Sequence, residues 1–181
     1  MTQDHNAATG RAAELRSAFD RSFAEPLRAA ANDRVNLLGI HVGGDAYAVR
    51  LSEITGLFIA KKIVSVPSPA AEFLGLAGLR GSIVPVYCLG ALLGYEKSSE
   101  PPRWLMLAGA GNMMALGFDV FDGHLRVARP AITRQAEGER ARKYVHEFSH
   151  DQDLVRAIVS LPSVLDAIGQ QAQQARPTKE R

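Results

Sequence analysis

Short apolar runs separated by glycine, proline and polar residues recur along the chain, a pattern typical of many short β-strands. Residues 37–42 and 46–51 flank a Gly-Gly-Asp turn and predict one β-hairpin. Residues 104–107 and 113–118 flank a Gly-Ala-Gly-Asn turn and predict a second. Three further strand-like runs are 54–59, 63–66 and 121–127. Because closely spaced short strands are typical of small barrels and sandwiches, we predict a mainly β fold.

A glycine-rich block between the two hairpins joins a basic turn to a strand and a short helix. Arg80 precedes Gly81, which can adopt a positive φ, so we expect Arg80 on a tight turn that faces solvent. Pro85 cannot donate a backbone hydrogen bond, which predicts that its strand lies at a sheet edge or a bulge. The apolar run 89–93 predicts a short helix that ends at Gly94.

The same order of apolar positions recurs 75 residues later, at 156–169, and again ends in a glycine. This echo predicts one supersecondary unit that is used twice, and therefore two similar lobes. We place lobe 1 at about 36–97 and lobe 2 at about 103–169, and strands can exchange between them. The polar segment 98–103, which contains a Pro-Pro pair, is the predicted connector.

Both ends of the chain differ from this β-rich domain, which we place at 34–170. Residues 1–33 form an N-terminal extension, and within it residues 11–25 carry an apolar stripe typical of an amphipathic helix. This helix packs on its own domain or binds a partner, and both alternatives stay open. Residues 171–181 form a polar tail.

Composition and charge exclude several classes of function. The chain has 181 residues, of which 46% are hydrophobic, enough to build a core. The net charge of +2 comes from 21 basic and 19 acidic residues, a balance that argues against nucleic-acid binding. Cys88 is the one cysteine, which excludes an internal disulfide and agrees with a reducing compartment. No signal peptide or membrane-length apolar run is visible, so we expect a cytoplasmic protein without direct membrane insertion.

Several blocks of the chain resemble, in order, the motifs of the CheW family of chemotaxis coupling proteins. The family's Gly-x-x-Asn-Leu-Arg-Gly-x-x-x-Pro-Val-x-Asp-Leu block is matched by residues 75–89, Gly-Leu-Ala-Gly-Leu-Arg-Gly-Ser-Ile-Val-Pro-Val-Tyr-Cys-Leu. The hairpin at 42–49, the Val-Pro-Ser-Pro segment at 66–69 and the stretch at 118–127 also fit. The resemblance covers about 35–169 and implies two small five-stranded SH3-like β-barrel lobes with short helices.

The resemblance also implies a function without catalysis, cofactor or metal. CheW proteins are scaffolds that join the cytoplasmic tip of methyl-accepting chemoreceptors to the regulatory domain of the histidine kinase CheA. By resemblance, Arg80 matches the family's receptor-facing arginine turn, and Ile54 matches an apolar position on the surface of the first lobe that binds receptor or kinase. Their neighbours Gly78, Leu79 and Gly81 complete the candidate partner-binding set.

The chain departs from the family pattern at polar positions. Gly78, Cys88 and Gly90 replace an asparagine, an aspartate and a frequent arginine, and near Gly56 the family often has a charged residue. The loss of a capping aspartate at position 88 should remove about 1 kcal/mol of local stabilisation. We therefore expect a partner face specific to one receptor or pathway.

A second class of function comes from residues 146–150, which read His-Glu-Phe-Ser-His. On a helix this order brings two histidines together as zinc ligands and makes the glutamate a general base, so a small zinc metalloprotease using His146, Glu147 and His150 is the alternative. On a helix the histidine Cβ atoms would lie about 6 Å apart. On a strand, four steps of ~3.3 Å separate them by ~13 Å. A stand-alone barrel that binds peptides is a third interpretation.

Overall fold

The computed structural model of the protein describes residues 33–59, 61–134, 143–151 and 154–174. The predicted N-terminal helix at 11–25 lies outside these residues, as does most of the predicted tail at 171–181. Strands predominate in the part of the chain that is described, and the prediction of a mainly β protein is confirmed.

The described residues form β-strands joined by short turns, with two α-helices. The strands are β1 (Arg34–Val42), β2 (Asp45–Arg50), β3 (Ile54–Ile59), β4 (Ile63–Val64), β5 (Phe73–Leu79), β6 (Ser82–Cys88), β7 (Trp104–Ala108), β8 (Met114–Phe118), β9 (Val120–Ala128), β10 (Ile132–Arg134), β11 (Val145–Asp151) and β12 (Leu154–Val159). The helices are α1 (Leu89–Leu93) and α2 (Leu161–Gln174), and 3₁₀ turns occupy Leu51–Glu53 and Arg129–Ala131.

The strands form two sheets. Sheet 1 has the order β10-β11-β12-β2-β1-β9, and sheet 2 has the order β3-β7-β8-β6-β5-β4. Each sheet therefore has six strands, one more than the five implied by the resemblance. Both predicted hairpins are present, because β1 pairs with β2 and β7 pairs with β8 in antiparallel register.

Each sheet takes strands from both predicted lobes. The hairpin β1–β2 lies in sheet 1 with the C-terminal strands, and the hairpin β7–β8 lies in sheet 2 with β3 to β6. The exchanged hairpins are joined to their sheets through parallel pairs, β2 with β12 and β6 with β8. Parallel partners must be distant in sequence because the connection has to cross the sheet, so turn signals in the sequence do not indicate them.

Many strands are buried on both faces. On β7, Leu105 and Leu107 belong to a core inside sheet 2, whereas Met106 and Ala108 belong to a larger core shared by both sheets and both helices. A third, smaller core lies within sheet 1. Two-sided burial explains why β7 and β8 read as continuous apolar runs and not as alternating ones.

Sheet 1 curls on itself. The Arg156 guanidinium on β12 forms an ion pair with the Asp122 carboxylate on β9, although β2 and β1 lie between these strands in the sheet. Three inter-strand spacings on a flat sheet amount to about 14 Å, which is longer than an arginine side chain. The contact therefore requires curvature.

The strand-and-helix unit predicted to occur twice is present as β6–α1 and β12–α2. Gly94 ends α1 with a left-handed φ of 95°, as predicted. Gly169 does not end α2, which continues to Gln174, so that part of the prediction is wrong. The apolar register is shared by the two units, but the lengths of their helices differ.

Pro85 lies in an interior strand, so the edge alternative of the edge-or-bulge prediction is wrong. The register of β5 with β6 shifts between Phe73 and Gly75, opposite Tyr87 and Val86, so an irregularity does lie beside Pro85. β6 has β5 on one side and β8 on the other. The parallel register with β8 begins at Val86 and ends at Cys88. Pro85 therefore precedes the paired stretch, where its missing N–H group interrupts no bond to β8.

Neither described helix has the length and apolar character needed to cross a membrane.

Candidate partner-binding surface

Arg80 lies at the tip of the β5–β6 hairpin. Leu79 pairs with Ser82, which leaves Arg80 and Gly81 as a two-residue loop. Their φ angles are 51° and 78°, both positive as a type I′ turn requires. Glycine adopts this region freely, whereas a positive φ at arginine costs of order 1 kcal/mol. The predicted solvent-facing turn is confirmed, and it holds Arg80 in a backbone conformation that arginine does not favour.

The Arg80 side chain lies across β3. Its Cζ atom is 5.8 Å from the centroid of the Phe58 ring, within the range of a cation–π contact. A Cβ atom built at Gly56 would lie 3.1 Å from Arg80 Nη2 and 3.0 Å from Phe58 Cε2. The guanidinium thus occupies space that a side chain at position 56 would take. We call Arg80, Phe58 and Gly56 the Arg80 platform.

Within the described residues, Arg80 has neither an ion pair nor a hydrogen bond through its side chain. Arg50 and Arg156 differ, because they form ion pairs with Glu147 and Asp122 respectively. The five N–H donors of a guanidinium form a planar fork that fits a carboxylate. On Arg80 this fork stays unsatisfied by the described part of the chain.

The outer face of sheet 2 beside this turn is apolar. Val64 pairs with Leu76, Leu76 pairs with Pro85, and Gly78 pairs with Ile83. Directly paired residues and their second neighbours along a strand point to one side of a sheet. Val64 is 55% exposed and Ile83 is 77% exposed. We call these five residues the apolar face of sheet 2.

The predicted partner-binding residues differ in their exposure to solvent. Gly78 and Gly81 are exposed beside Arg80. Leu79 is only 1% exposed and its side chain lies in the core of sheet 2, not on the surface, and its part in partner binding stays a prediction. Strand alternation explains this burial, because Leu79 lies on the same side of β5 as the buried Ala77. Ile54 is half-buried against the shared core, and its contact with a partner stays a prediction.

Phe58 and Ile83 are among the residues of this surface that the sequence analysis did not identify. Phe58 supports Arg80 only because sheet 2 curls, and no pattern in the sequence indicates that contact. Ile83 could have been found, because it alternates with the buried residues Val84 and Val86 and must point outward.

Glu53 connects the start of β3 to α2. Its Oε2 atom accepts a hydrogen bond of 2.9 Å from the backbone N–H of Leu161, the first residue of the helix. This bond satisfies one of the N–H groups that a helix leaves free at its N-terminus. Burial raises the pKa of the Glu53 carboxyl above its ordinary value of 4.5, and the Leu161 hydrogen bond and Arg50 oppose the shift.

Glu53→Gln should remove a pH dependence of folding. Because folding raises the pKa of Glu53, the unfolded chain releases this proton at lower pH than the folded protein does. The free energy of unfolding contributed by Glu53 should therefore be full below pH 4.5 and decline as the pH rises through the folded pKa. Gln keeps an acceptor for Leu161 but cannot ionise. Urea unfolding across this pH range should show that the free energy of unfolding declines in the natural protein and changes less in the variant. An equal pH dependence in the two proteins would contradict a raised pKa of Glu53.

The zinc alternative is contradicted by the conformation of its residues. His146, Glu147 and His150 lie on β11, an extended strand and not a helix. His146 Nε2 lies 3.3 Å from Ser163 Oγ, and His150 Nε2 lies 3.0 Å from Thr133 Oγ1. The two histidines thus contact different elements, and the described residues contain no cluster of metal-binding side chains.

Comparison with known proteins identifies the family. The CheW-like domain profile matches residues 36–169. The chain belongs to the CheW-like domain family. The fold of this CheW-like chain is similar to the crystal structure of the scaffolding protein TtCheW from Thermoanaerobacter tengcongensis, with a TM-score of 0.61, 16% sequence identity, and coverage of 70% of this chain and 88% of that chain. No curated protein matches the sequence.

The departures from the CheW family pattern differ in what the fold requires of them. Cys88 precedes α1 and makes no capping hydrogen bond with its side chain. A Cβ atom at Gly78 would meet nothing within 4 Å, and one at Gly90 would meet Val42 at an ordinary 3.5 Å. The fold therefore tolerates side chains at both positions. At Gly56, in contrast, the Arg80 platform leaves little room.

Proposed function

We propose that this CheW-like chain is a non-catalytic adaptor that couples methyl-accepting chemoreceptors to a CheA-type histidine kinase. The observation that carries the proposal is Arg80, which occupies a strained turn and has no ionic partner within the described part of the chain. Strained conformations cluster at functional sites, because the surrounding structure must stabilise them. Under this proposal the receptor's cytoplasmic tip faces Arg80, and the protein acts in the cytoplasm.

Arg80 and the surface beside it fit a helical partner. A guanidinium fork can bind a carboxylate or the free carbonyl groups at a helix end. The apolar face of sheet 2 offers the exposed Ile83 close to the Arg80 turn and, farther along the sheet, the exposed Val64. Protein interfaces commonly combine an apolar centre with a polar rim, and arginine is enriched in them.

The architecture supports the kinase half of the proposal. We propose that each sheet closes into a small SH3-like barrel, because Arg156 on β12 reaches Asp122 on β9 in sheet 1. In sheet 2, Arg80 on the β5–β6 turn contacts Phe58 on β3, although β7 and β8 lie between β3 and β6 in the strand order. By resemblance the regulatory domain of CheA has two such barrels, and barrels of one kind can pack side by side.

Co-sedimentation tests the adaptor function. The purified full chain should sediment with vesicles that carry receptors from its own genome, and should bring the cognate kinase into the pellet. Vesicles without receptor serve as the control. A chain that sediments with neither receptor nor kinase, although it is folded by circular dichroism, would overturn the proposal.

A further inference from the structure

We propose that Phe58 is a positioning residue for Arg80, and that Gly56 provides the space this positioning needs. The inference rests on the proposed function and adds to it how the binding arginine is prepared. Its basis is the Arg80 platform, where an exposed guanidinium lies over an aromatic ring instead of extending into solvent.

The contact restrains a side chain that would otherwise be mobile. Arg80 lies on an exposed turn and has no ion pair with a described residue, and the Phe58 ring is the described group that restrains its guanidinium. Phe58 itself is held, because it is half-buried against the core inside sheet 2. An arginine stacked on a ring keeps its N–H groups free at the edge of the plane. The fork is thus ordered before a partner arrives, which lowers the entropy cost of binding.

Gly56 is the second component. Its φ lies outside the positive range, so the backbone does not require glycine there. The close neighbours favour it, since a Cβ atom would lie 3.0 and 3.2 Å from two carbons of the Phe58 ring and 3.1 Å from Arg80 Nη2, so these side chains would have to shift by a few tenths of an ångström. The edge strand β3 is also irregular here, because its register with β7 shifts between Ile54 and Gly56. A larger residue at position 56 must displace the ring or the guanidinium.

Of the groups that Arg80 can bind, a carboxylate fits the restrained guanidinium best. A carboxylate accepts two parallel hydrogen bonds from the fork, and that geometry is selective for a planar acceptor. We therefore infer an acidic side chain on the receptor segment that faces Arg80. Because the site is exposed, the attraction should weaken as salt increases.

A double-mutant cycle tests whether Phe58 acts through Arg80. Phe58→Leu should weaken binding to the receptor fragment about threefold, the effect expected of an exposed cation–π contact. In the Arg80→Ala background the same substitution should change the affinity hardly at all, because the group that Phe58 positions is gone. Phe58→Tyr keeps an aromatic face and should bind like the natural chain. Gly56→Ala should weaken binding in the same sense as Phe58→Leu.

Phe73→Leu is the matched control. Phe73 begins β5, at the opposite end of the strand from the Arg80 turn, and contacts Tyr87 edge-to-face with 5.3 Å between ring centroids. Its replacement should leave receptor affinity unchanged. Urea unfolding establishes that each variant is folded under the conditions of the binding assay.

An NMR measurement on the free protein is independent of any partner. The ring should shift the Arg80 side-chain resonances upfield, and Phe58→Leu should abolish this shift. Absence of the shift, or equal losses from Phe58→Leu with and without Arg80, would overturn the positioning role while the adaptor function stands. A natural chain that binds no receptor would overturn the adaptor function, and with it this inference.

Discussion

Replacing Arg80 with asparagine should weaken receptor binding by about tenfold or more while the fold stays intact or becomes more stable. Charge-assisted hydrogen bonds contribute about 1.5 to 3 kcal/mol, and about 1.4 kcal/mol corresponds to a tenfold change in affinity. Asparagine tolerates a positive φ better than arginine does, so the φ of 51° should cost less in the variant. Because the substitution also removes the contact with Phe58, the free energy of unfolding should stay unchanged or rise by less than about 1 kcal/mol.

Separate measurements of binding and unfolding make this test informative. Isothermal calorimetry with a receptor fragment gives the affinity, and urea denaturation gives the stability. Arg80→Lys is the matched variant, because it keeps the charge on the same turn but lacks the planar fork, and it should bind between the two extremes. An Arg80→Asn protein that is folded and binds with natural affinity would remove Arg80 from the interface.

Asp122→Ala should lower the free energy of unfolding by about 2 kcal/mol, because it leaves the Arg156 charge buried without its partner. Arg156 is 6% exposed, and its Nη1 atom has no hydrogen-bond partner among the described residues even in the natural protein. Asp122 is 34% exposed in its side chain, so solvent can enter after truncation and the loss should be smaller than for a fully buried pair. His41 Nε2, 3.7 Å from Asp122 Oδ2, also loses a neighbour.

A double variant distinguishes two causes of destabilisation, the buried unpaired charge of Arg156 and the loss of its contact with Asp122. Arg156→Leu together with Asp122→Ala removes both charges and should be more stable than Asp122→Ala alone, by about 1 kcal/mol. Urea unfolding of the natural chain, the single variant and the double variant measures the difference. If the double variant is the least stable of the three, the ion pair contributes net stability and the reasoning from desolvation is wrong.

Local features of this fold follow from residues that are close in the chain. The hairpins β1–β2 and β7–β8 are visible as apolar runs around glycine-rich turns. The turn at Arg80 and Gly81 follows from a glycine that permits positive φ, and the end of α1 follows from Gly94. The alternation of inward and outward side chains along β5 and β6 predicts that Leu79 is buried and that Ile83 is exposed. These features can be predicted from the sequence because each depends on a single turn or on the two-residue period of a strand.

The misplaced features are those in which distant segments meet. Pro85 looks like an edge residue until β8 is known to pair with β6 from Val86 onward. Gly169 looks like a helix stop, but it does not adopt a positive φ and α2 continues to Gln174. Glycine inside a helix costs only about 1 kcal/mol, which is less than the stabilisation that α2 gains by burying Val164 and Ile168.

The sequence alone is enough to establish a mainly β protein with a CheW-like succession of blocks and an exposed arginine turn. It is not enough to establish which strands share a sheet, because the parallel pairs β2–β12 and β6–β8 join segments far apart in the chain. Nor does it indicate that Arg80 lies over Phe58 and beside Gly56, which requires sheet 2 to curl until the β5–β6 turn meets β3. Turns and alternation are encoded by neighbouring residues, whereas curvature and the contacts it creates result from packing the two sheets around a common core.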